Sequence, residues 1–267
     1  MPLSIAVCVK RVPDTAADKV LDPADFTLDR EVVEAILNPV DECAVEEALR
    51  LKEAHGGEVT AVSVGPEGAV AKAIRRALSM GCDRGLHLAD PSLHGSDALA
   101  IAYALAQLLA GRGFDLILCG SESTDARTSL VPPALAEFLD LPGLVYAKTV
   151  AVSGSPGELK VRIHRERDDG YDVEEALLPA VVGVNWGANE PRNISFKGIQ
   201  TAKSKPVEEL DAAGAGIDPA RVGLAGSKSA VLGAAARSAE RQRIVVDDSD
   251  GQAHIKLADF LQAQGLI

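Results

Sequence analysis

The sequence predicts an α/β protein built on a doubly wound, mostly parallel sheet, followed by an extended C-terminal arm that ends in a helix. Two observations predict this class. Short apolar runs alternate with amphipathic stretches through the first half of the chain, which is the βαβ rhythm of a parallel, Rossmann-like sheet. A chain of 267 residues with 47% hydrophobic residues can also bury a sizeable core.

The elements of the first half follow directly from this pattern. Strands are expected where apolar runs are short and bounded by turn residues, and helices where apolar residues recur at helical spacing. In chain order the pattern predicts a strand at 4–9, a helix at 41–54, a strand at 58–64, a helix at 69–80, a strand at 85–88, a helix at 96–110, a strand at 115–119 and a helix at 130–139.

From Leu144 onwards the pattern changes to strand-like segments separated by turn residues. The run Ser-Gly-Ser-Pro-Gly at 153–157 lies between strand-like stretches at 149–152 and 159–164, as expected for a hairpin. We expect these antiparallel strands to extend the sheet. An apolar run at 179–184 predicts a further buried strand.

The compact domain is expected to span residues 1–193, and residues 194–267 are expected to form an arm. The arm combines Ala- and Gly-rich segments with an amphipathic helix at 255–264. Such a segment buries too little apolar surface by itself to offset the entropy lost on ordering. We therefore expect it to pack on a partner or back on the domain, with a partly disordered tail as the alternative.

Composition and charge exclude several classes of partner. The formal net charge of -12 disfavours binding to nucleic acid or to an anionic membrane, because both require basic patches. Aromatic residues make up only 3% of the chain, which argues against base-stacking surfaces. With no long apolar run in the sequence, no membrane insertion is expected, and the expected location is the cytoplasm. The partner is expected to be a protein or a small molecule.

The four cysteines, at 8, 43, 82 and 119, show neither CxxC pairing nor the spacing of zinc ligands. We interpret them as reduced structural thiols. Cys8 and Cys119 each lie near the end of a predicted strand, so they can also line a ligand pocket, although core packing is the favoured interpretation.

The loop after the predicted strand at 115–119 is the most informative short segment. Ligands in open α/β sheets bind beyond the carboxyl ends of the strands, and Gly120 begins a loop rich in hydroxyl and acidic side chains there. Thr128 and Ser129 precede the predicted helix at 130–139, where hydroxyls and free N–H groups can hold a phosphate. An ordinary N-cap followed by a helix is the alternative, and composition alone favours it.

The pair Asn38-Pro39 is open to two interpretations. Asn is a favoured N-cap and Pro suits the first helical turn, so helix formation alone explains the pair. If this turn lies beside the loop at Gly120, its backbone groups can contact an adenine or a ribose. That second interpretation is a hypothesis from the order of the elements.

Established catalytic and nucleotide motifs are missing from the sequence. There is no GxxxxGK[ST] loop, no GxGxxG after the first strand, no GxSxG elbow and no HExxH helix. The five histidines are scattered, so no metal cluster is indicated. The residues alone therefore indicate an acidic α/β protein with a candidate nucleotide site.

A series of short motifs carries a family resemblance that covers nearly all of the chain up to Ala202. In order they are Val9-Lys-Arg-Val12, Asn38-Pro39 leading into 44–53, Ala-Leu-Ser-Met-Gly-Cys-Asp-Arg-Gly at 77–85, Asp125, Leu-Ala-Glu-Phe-Leu-Asp-Leu-Pro at 135–142, Arg165-Glu166, Leu-Pro-Ala-Val-Val at 178–182 and Asn189-Glu-Pro-Arg192. Together they resemble the electron-transfer flavoprotein β (small) subunit family.

The resemblance implies an adenine nucleotide hydrolase-like domain that pairs with a larger α subunit. The α subunit carries most contacts to the redox FAD, and the β subunit holds a structural AMP. Carried over by position, the AMP site consists of Cys8, Asn38, Pro39, Val40, Asp41, Val64, Gly120, Ser121, Glu122, Ser123, Thr124, Asp125, Ala126, Arg127, Thr128, Ser129, Leu130 and Val131.

The loop at 126–132 departs from its relatives, which have a more amide-rich or Gly-Asp-Thr-rich run. Arg127 can supply charge to a phosphate there. A bifurcating subclass holds a second FAD in this place, and its loop pattern is not evident, so AMP is favoured. On this resemblance 1–193 is the nucleotide-binding domain, and 194–267 is the partner-recognition loop and arm that packs on the partner subunit.

The resemblance also implies docking residues. Phe196 takes the position of an apolar anchor that holds the carrier on dehydrogenases, although the family usually has an aliphatic residue there. Glu166 matches a glutamate at the interface between the α and β subunits.

The implied role is an electron carrier from flavin dehydrogenases, such as those oxidising acyl-CoA, to a membrane quinone reductase. The flavin does the redox chemistry, so no catalytic residue and no metal are expected in this chain. The rival is an ATP-using enzyme or nucleotide-sensing protein on the same fold. The residues at 8–13, Cys-Val-Lys-Arg-Val-Pro, lack the glycine and serine run that such an enzyme requires. A third alternative is a structural subunit that binds no ligand.

Overall fold

In the computed structural model the described residues are 2–30, 34–65, 69–155, 157–235 and 244–267. The chain forms two compact units, Met1–Leu232 and Gly233–Ile267. Among the described residues, the first unit contains the sheets and most of the helices, and the second contains one helix.

The strands of the described residues, numbered in chain order, fall into three sheets. They are β1 (Leu3–Cys8), β2 (Arg11–Pro13), β3 (Ala35–Leu37), β4 (Gly57–Gly65), β5 (Arg84–Ala89), β6 (Leu116–Gly120), β7 (Gly143–Ala147), β8 (Thr149–Ser153), β9 (Lys160–Arg167), β10 (Gly170–Leu177), β11 (Ala180–Val184) and β12 (Val207–Leu210).

The helices are numbered in the same way. They are α1 (Pro39–His55), α2 (Ala69–Met80), α3 (Ala98–Leu109), α4 (Val131–Leu139), α5 (Phe196–Ala202), α6 (Gly223–Gly226) and α7 (Ala253–Ala263). None of the helices in the described residues is both long and apolar enough to cross a membrane.

The central sheet has seven strands in the order β12-β5-β4-β1-β6-β11-β7, and every neighbouring pair is parallel. From β1 the chain proceeds to β4 and β5 on one side, and then crosses back to β6 on the other side of β1. The carboxyl ends of β1 and β6 therefore meet at a topological switch point, where open α/β sheets leave a crevice.

The two faces of this sheet bury separate apolar layers. Because side chains alternate along a strand, Leu3, Ile5 and Val7 of β1 pack with α1 and α2, while Ala6 and Cys8 pack with α3 and α4. Helices thus cover both faces, which confirms the predicted doubly wound α/β class with a mostly parallel sheet.

The predicted hairpin is confirmed, but its place in the fold is different from the expectation. β8 and β9 pair antiparallel, and β9 also pairs with β10 to make a separate three-stranded sheet. Val150, Val152, Val161 and Ile163 of this small sheet pack against the apolar layer of α1. The expectation that these strands extend the central sheet is wrong, because their apolar face is buried against that layer instead.

The sequence analysis also missed β12, which is an edge strand of the central sheet. β12 pairs in parallel with β5 and forms an edge of the central sheet. Its central residues are Glu208 and Glu209, so it has no apolar alternation to reveal it. Charged residues are typical of edge strands, because they hinder pairing with other chains.

The second unit contains α7, which lies close to the predicted helix at 255–264. Ile255, Leu257 and Phe260 on this helix are all exposed by 44% or more. The division of roles expected from the sequence, with nucleotide binding in 1–193 and partner recognition in 194–267, stays a prediction.

Candidate functional site

A cleft with a volume of about 570 Å³ opens at the carboxyl ends of β1, β4 and β6. Ligand pockets in proteins commonly have volumes of about 300–1,000 Å³. The residues lining it that were expected from the sequence are Cys8, Asp41, Val64, Gly120, Ser121, Glu122, Ser123, Ala126, Thr128, Ser129, Leu130 and Val131. The fold therefore brings together most of the expected nucleotide site at the switch point.

Gly120 ends β6 and lies directly against the first turn of α1. A β-carbon at this position would be 2.3 Å from the Oδ1 atom of Asp41 and 3.0 Å from the carbonyl carbon of Val40. No side chain fits in that space, so glycine is required by the close approach of the two backbones. This contact fixes the floor of the cleft.

Asp41 is a buried carboxylate below this floor. Burial raises the pKa of its side chain to about 7, although hydrogen bonds to the charged form oppose the shift. One of these bonds comes from the backbone N–H of Lys10, which donates to Oδ2 at 2.8 Å. The carboxylate thus joins β1, α1 and the loop after β6.

Asn38 precedes α1 and is fully buried. Its side-chain NH₂ donates to the carbonyl oxygen of Glu122 at 2.9 Å, and its Oδ1 accepts from the N–H of Thr124 at 3.2 Å. Asn38 is the N-cap residue of α1, as expected, but its side chain makes no capping bond to the helix and contacts the loop instead. The hypothesis that this turn lies beside the loop at Gly120 is confirmed, and Pro39 occupies the first helical turn as expected.

Asp125 holds the outer part of the same loop through two cations. Its carboxylate lies 2.7 Å from the Nζ of Lys10 and 2.7 Å from a guanidinium nitrogen of Arg30. Burial alone would raise its pKa, but the ion pair and hydrogen bond with Lys10 and the contact with Arg30 lower it to about 2. Lys10, from the Val9-Lys-Arg-Val12 motif, and Arg30, which the sequence analysis did not single out, also line the cleft.

The segment before α4 has the features of an anion-binding turn. Arg127 and Ser129 have left-handed φ angles of 49° and 51°. The backbone N–H groups of Thr128, Ser129 and Leu130 make no hydrogen bond within the described part of the chain. Unpaired N–H groups in alternating backbone conformations form concave anion sites, so these donors fit a phosphate.

The start of α4 is not the ordinary capped helix that composition favoured. Leu130 is the N-cap residue and makes no side-chain cap bond, while the hydroxyl of Ser129 donates to Glu122 at 3.3 Å. Pro132 and Pro133 follow in the first turn and have no N–H to offer. The capping alternative is therefore wrong, and the free donors lie in the preceding turn rather than in the helix.

The opposite wall of the cleft is formed by the start of α3 and a distant segment of the chain. Asp97 caps α3 by accepting from the N–H of Ala100 at 2.9 Å, and its other oxygen accepts from the N–H groups of Lys228 at 2.7 Å and Ser229 at 2.9 Å. Lys228 and Ser229 line the cleft. Sequence reasoning missed them because they lie in the stretch interpreted as an arm.

The other expected residues take supporting or separate positions. Asn38, Pro39, Val40, Thr124, Asp125 and Arg127 are not among the residues that line the cleft. Asn38, Val40, Thr124 and Asp125 instead make the contacts that shape it, as described above. Cys8 and Cys119 line the cleft and also belong to the buried apolar layer beneath it. Core packing and pocket lining, the two interpretations from the sequence, therefore both apply.

The two expected docking residues are not among the cleft-lining residues. Glu166 lies on β9 with 63% of its side chain exposed, and its carboxylate is 3.8 Å from the Nζ of Lys148. Phe196 is the first residue of α5 and is 76% exposed. Ser195 caps this helix by accepting from the N–H of Gly198, so α5 holds the aromatic ring outward.

The Asn189-Glu-Pro-Arg192 motif binds the segment that precedes α5 to the side chains of α1. Arg192 forms paired bonds of 2.8 and 3.1 Å to the carboxylate of Glu46, and the amide of Asn189 donates to Glu47 at 3.1 Å. Arg192 lowers the pKa of Glu46 against the effect of burial. The motif therefore positions the segment that carries Phe196.

The doubly wound sheet, with a cleft at its switch point and free backbone N–H groups beside it, is typical of the class of Rossmann-like α/β proteins. Comparison with known proteins identifies the family. The electron transfer flavoprotein domain matches residues 25–215. The electron transfer flavoprotein subunit beta of Mycobacterium leprae is 43% identical over 271 residues, covering 99% of each chain.

Two further relatives with the same description agree. The protein from Mycobacterium bovis is 42% identical over 270 residues, with 99% of each chain covered. The protein from Megasphaera elsdenii is 41% identical over 237 residues, with 86% of each chain covered. This chain belongs to the electron-transfer flavoprotein β-subunit family, which implies an electron-transfer role and an α-subunit partner.

Proposed function

We propose that this chain is the β subunit of a heterodimeric electron-transfer flavoprotein that carries electrons from flavin dehydrogenases, such as acyl-CoA dehydrogenases, to a membrane quinone reductase. The observation that carries the proposal is the near full-length match to β subunits, at 43% identity over 99% of the chain. The proposed activity is that of a carrier rather than an enzyme, and its proposed location is the cytoplasm.

The cleft at the switch point is the proposed site of a structural AMP. The free N–H groups of Thr128, Ser129 and Leu130, together with two hydroxyls in the same turn, supply donors for its phosphate. Lys10 and Lys228 line the cleft and add positive charge in an otherwise acidic chain.

The adenine end of the nucleotide is proposed to lie over the apolar part of the cleft. Val62, Val64, Ile101 and Leu105 line that part and present no competing charge. A planar base buries apolar surface there, while its polar edge can form hydrogen bonds with backbone groups at the edge of the cleft. The contacts of Asn38 and Asp41 keep the rim rigid, so binding orders few additional groups.

FAD is proposed to bind mainly to the α subunit, where it supplies the one-electron and two-electron chemistry. This chain contributes a wall of that site and part of the subunit interface. Glu166 suits such an interface, because its carboxylate is largely exposed and has only a 3.8 Å contact with Lys148. An ionic partner on the α subunit can pair with it at little cost.

Phe196 is the proposed anchor for dehydrogenases. An aromatic ring that is 76% exposed at the start of a short, capped helix can enter an apolar pocket without rearrangement of the backbone. The Arg192 bonds to α1 hold the preceding segment in place.

Electron flow through the assembled protein tests the proposal. The chain is co-expressed with the α subunit, and the purified complex is mixed with an acyl-CoA dehydrogenase that its substrate has reduced. Loss of the flavin absorbance of the complex, at a rate that saturates with dehydrogenase, is the expected result. A complex that holds flavin but is reduced only by a chemical reductant contradicts the carrier role.

The Phe196→Ala complex distinguishes docking from redox competence. It should be reduced normally by the chemical reductant but should need a higher dehydrogenase concentration for half-maximal rate. Tyr171→Ala, which removes another exposed aromatic ring, is the matched control.

A further inference from the structure

Two thiols lie side by side at the floor of the cleft. β1 and β6 are parallel neighbours in which Val7 pairs with Leu118, so the next residues, Cys8 and Cys119, are also opposite each other. Both belong to the apolar layer on the face of the sheet covered by α3 and α4.

This placement permits a covalent bond between the two sulfurs. Neighbouring strands lie about 4.8 Å apart, and disulfides bridge Cα atoms separated by about 4.4–6.8 Å. A bond therefore needs rotation of the two side chains rather than movement of the strands. The apolar layer around the pair holds both thiols in place.

We propose that Cys8 and Cys119 form a vicinal dithiol modification site, which a peroxide converts into a disulfide at the floor of the cleft. In the first step the Cys8 sulfur attacks hydrogen peroxide, and one oxygen is transferred to give a sulfenic acid and water. In the second step the Cys119 sulfur displaces that oxygen, and the sulfenic OH leaves with the Cys119 proton as water. One peroxide is reduced to two waters, and two thiols are oxidised to one disulfide.

The order of the two steps follows from exposure. Cys8 is 9% exposed at the cleft, whereas Cys119 is 3% exposed beneath it, so the reagent meets Cys8 first. The neighbouring Cys8 thiol and burial both hold the pKa of the Cys119 thiol well above its usual range. The resting state is therefore the dithiol, and Cys119 reacts only after its neighbour has been oxidised.

The other two cysteines provide an internal contrast. Cys43 and Cys82 belong to the opposite apolar layer and do not line the cleft. The thiol of Cys82 has no exposed surface, and burial raises its pKa to about 12. The pairing is therefore expected to be confined to Cys8 and Cys119.

Occupancy of the cleft should control access to the pair. This extension rests on the proposed function, because a nucleotide bound over Val62 and Val64 would cover the Cys8 sulfur. The dithiol itself does not depend on the nature of that ligand. The two ideas can thus fail separately.

The test treats the purified complex with hydrogen peroxide, with and without saturating AMP, and maps the peptides without reduction. A linked peptide pair containing Cys8 and Cys119, lighter by two hydrogens and restored by dithiothreitol, is expected. Cys8→Ser and Cys119→Ser should each abolish the pair, while Cys82→Ser should leave it unchanged. Independent oxidation of the two cysteines, or no reaction at either, overturns the proposal.

A second reagent tests the proximity of the two thiols independently of peroxide. Phenylarsine oxide joins two adjacent thiols through arsenic with loss of one water, and needs no oxidant. Bridging of Cys8 to Cys119 supports the dithiol, and its absence in the unmodified complex refutes it. If the disulfide forms equally fast with AMP present, the dithiol stands and the proposed nucleotide contact over it is wrong.

Discussion

Replacement of Gly120 by alanine tests the close contact that fixes the floor of the cleft. The added β-carbon would lie 2.3 Å from Oδ1 of Asp41, and ordinary contacts begin near 3.4 Å, so the carboxylate must retreat by roughly 1 Å. The backbone of Val40 lies behind it at 3.0 Å and limits any compensating shift. The bond from Lys10 N–H to Asp41, now 2.8 Å, is then lost.

The size of the effect follows from these two changes. Overpacking in a close-packed interior costs about 1–3 kcal/mol. Loss of a hydrogen bond to a charged group costs about 1.5–3 kcal/mol. Asp41 is only partly ionised near pH 7, because its pKa is about 7, so the smaller values apply. We expect Gly120→Ala to lower the free energy of unfolding by roughly 3 kcal/mol.

Urea unfolding of the full chain in complex with the α subunit measures this difference. Gly233→Ala is the matched control, since a β-carbon there meets no atom of the described residues within 4 Å, and its effect should stay within about 0.5 kcal/mol. Asp41→Ala removes the atom that clashes, so Gly120→Ala should cost much less in that background. Equal stability of the Gly120 and Gly233 variants would refute the close-contact argument.

Three further changes test other contacts. Asp125→Asn removes a carboxylate whose pKa is about 2 in the fold and about 4 when unfolded; its stabilisation is present above pH 4 and is lost as the pH falls through 2. The variant should lose about 2 kcal/mol at neutral pH and little near pH 2, measured by urea unfolding. Arg192→Ala removes the paired bonds to buried Glu46, which keeps its 3.1 Å contact with Arg50, and should cost roughly 2 kcal/mol by the same assay. Phe196→Ala should weaken dehydrogenase binding about 30-fold, or about 2 kcal/mol, by titration, with unchanged stability.

A control variant or a contradicting outcome checks each of these three expectations. Arg162→Ala breaks an exposed ion pair with Glu175 and should cost less than about 1 kcal/mol, in contrast to Arg192→Ala. If the stability of Asp125→Asn falls between neutral pH and pH 2 as steeply as that of the parent protein, the ion pairs of Asp125 do not cause the loss of stability in acid. Dehydrogenase binding that survives Phe196→Ala would remove this residue from the docking surface.

Local patterns in the sequence predicted the parallel sheet and the position of its cleft. Apolar runs such as 115–119 are short and bounded by turn residues, so their strands could be recognised without tertiary information. Ligands in open α/β sheets bind beyond the carboxyl ends of the strands, which pointed to the loop at Gly120. The observed cleft lies at that loop.

The parts that could not be predicted depend on contacts between distant residues. Arg30 reaches Asp125 across 95 positions, and Lys228 reaches Asp97 across 131 positions. No local periodicity records such pairs. β12, which contains Glu208, was missed for the same reason. Its position is set by pairing with β5 rather than by apolar residues of its own.

The placement of the small antiparallel sheet was similarly undetermined. The turn at 153–157 predicts that β8 and β9 pair with each other. It does not indicate which part of the protein their apolar face packs against. Packing of Val161 and Ile163 against the layer of α1 decides it. Turn chemistry thus predicts local pairing, and burial decides the assembly of the sheets.

The nucleotide content of the heterodimer tests the central proposal most directly. The chain is co-expressed with the α subunit, the complex is denatured, and the released nucleotides are identified and counted by chromatography and mass. One FAD and one AMP per heterodimer is the predicted result, and a Gly120→Ala complex should retain FAD while losing AMP. Two FAD would place a flavin in the cleft, whereas no complex and no flavin, with ATP turned over by the chain alone, would contradict the electron-carrier function.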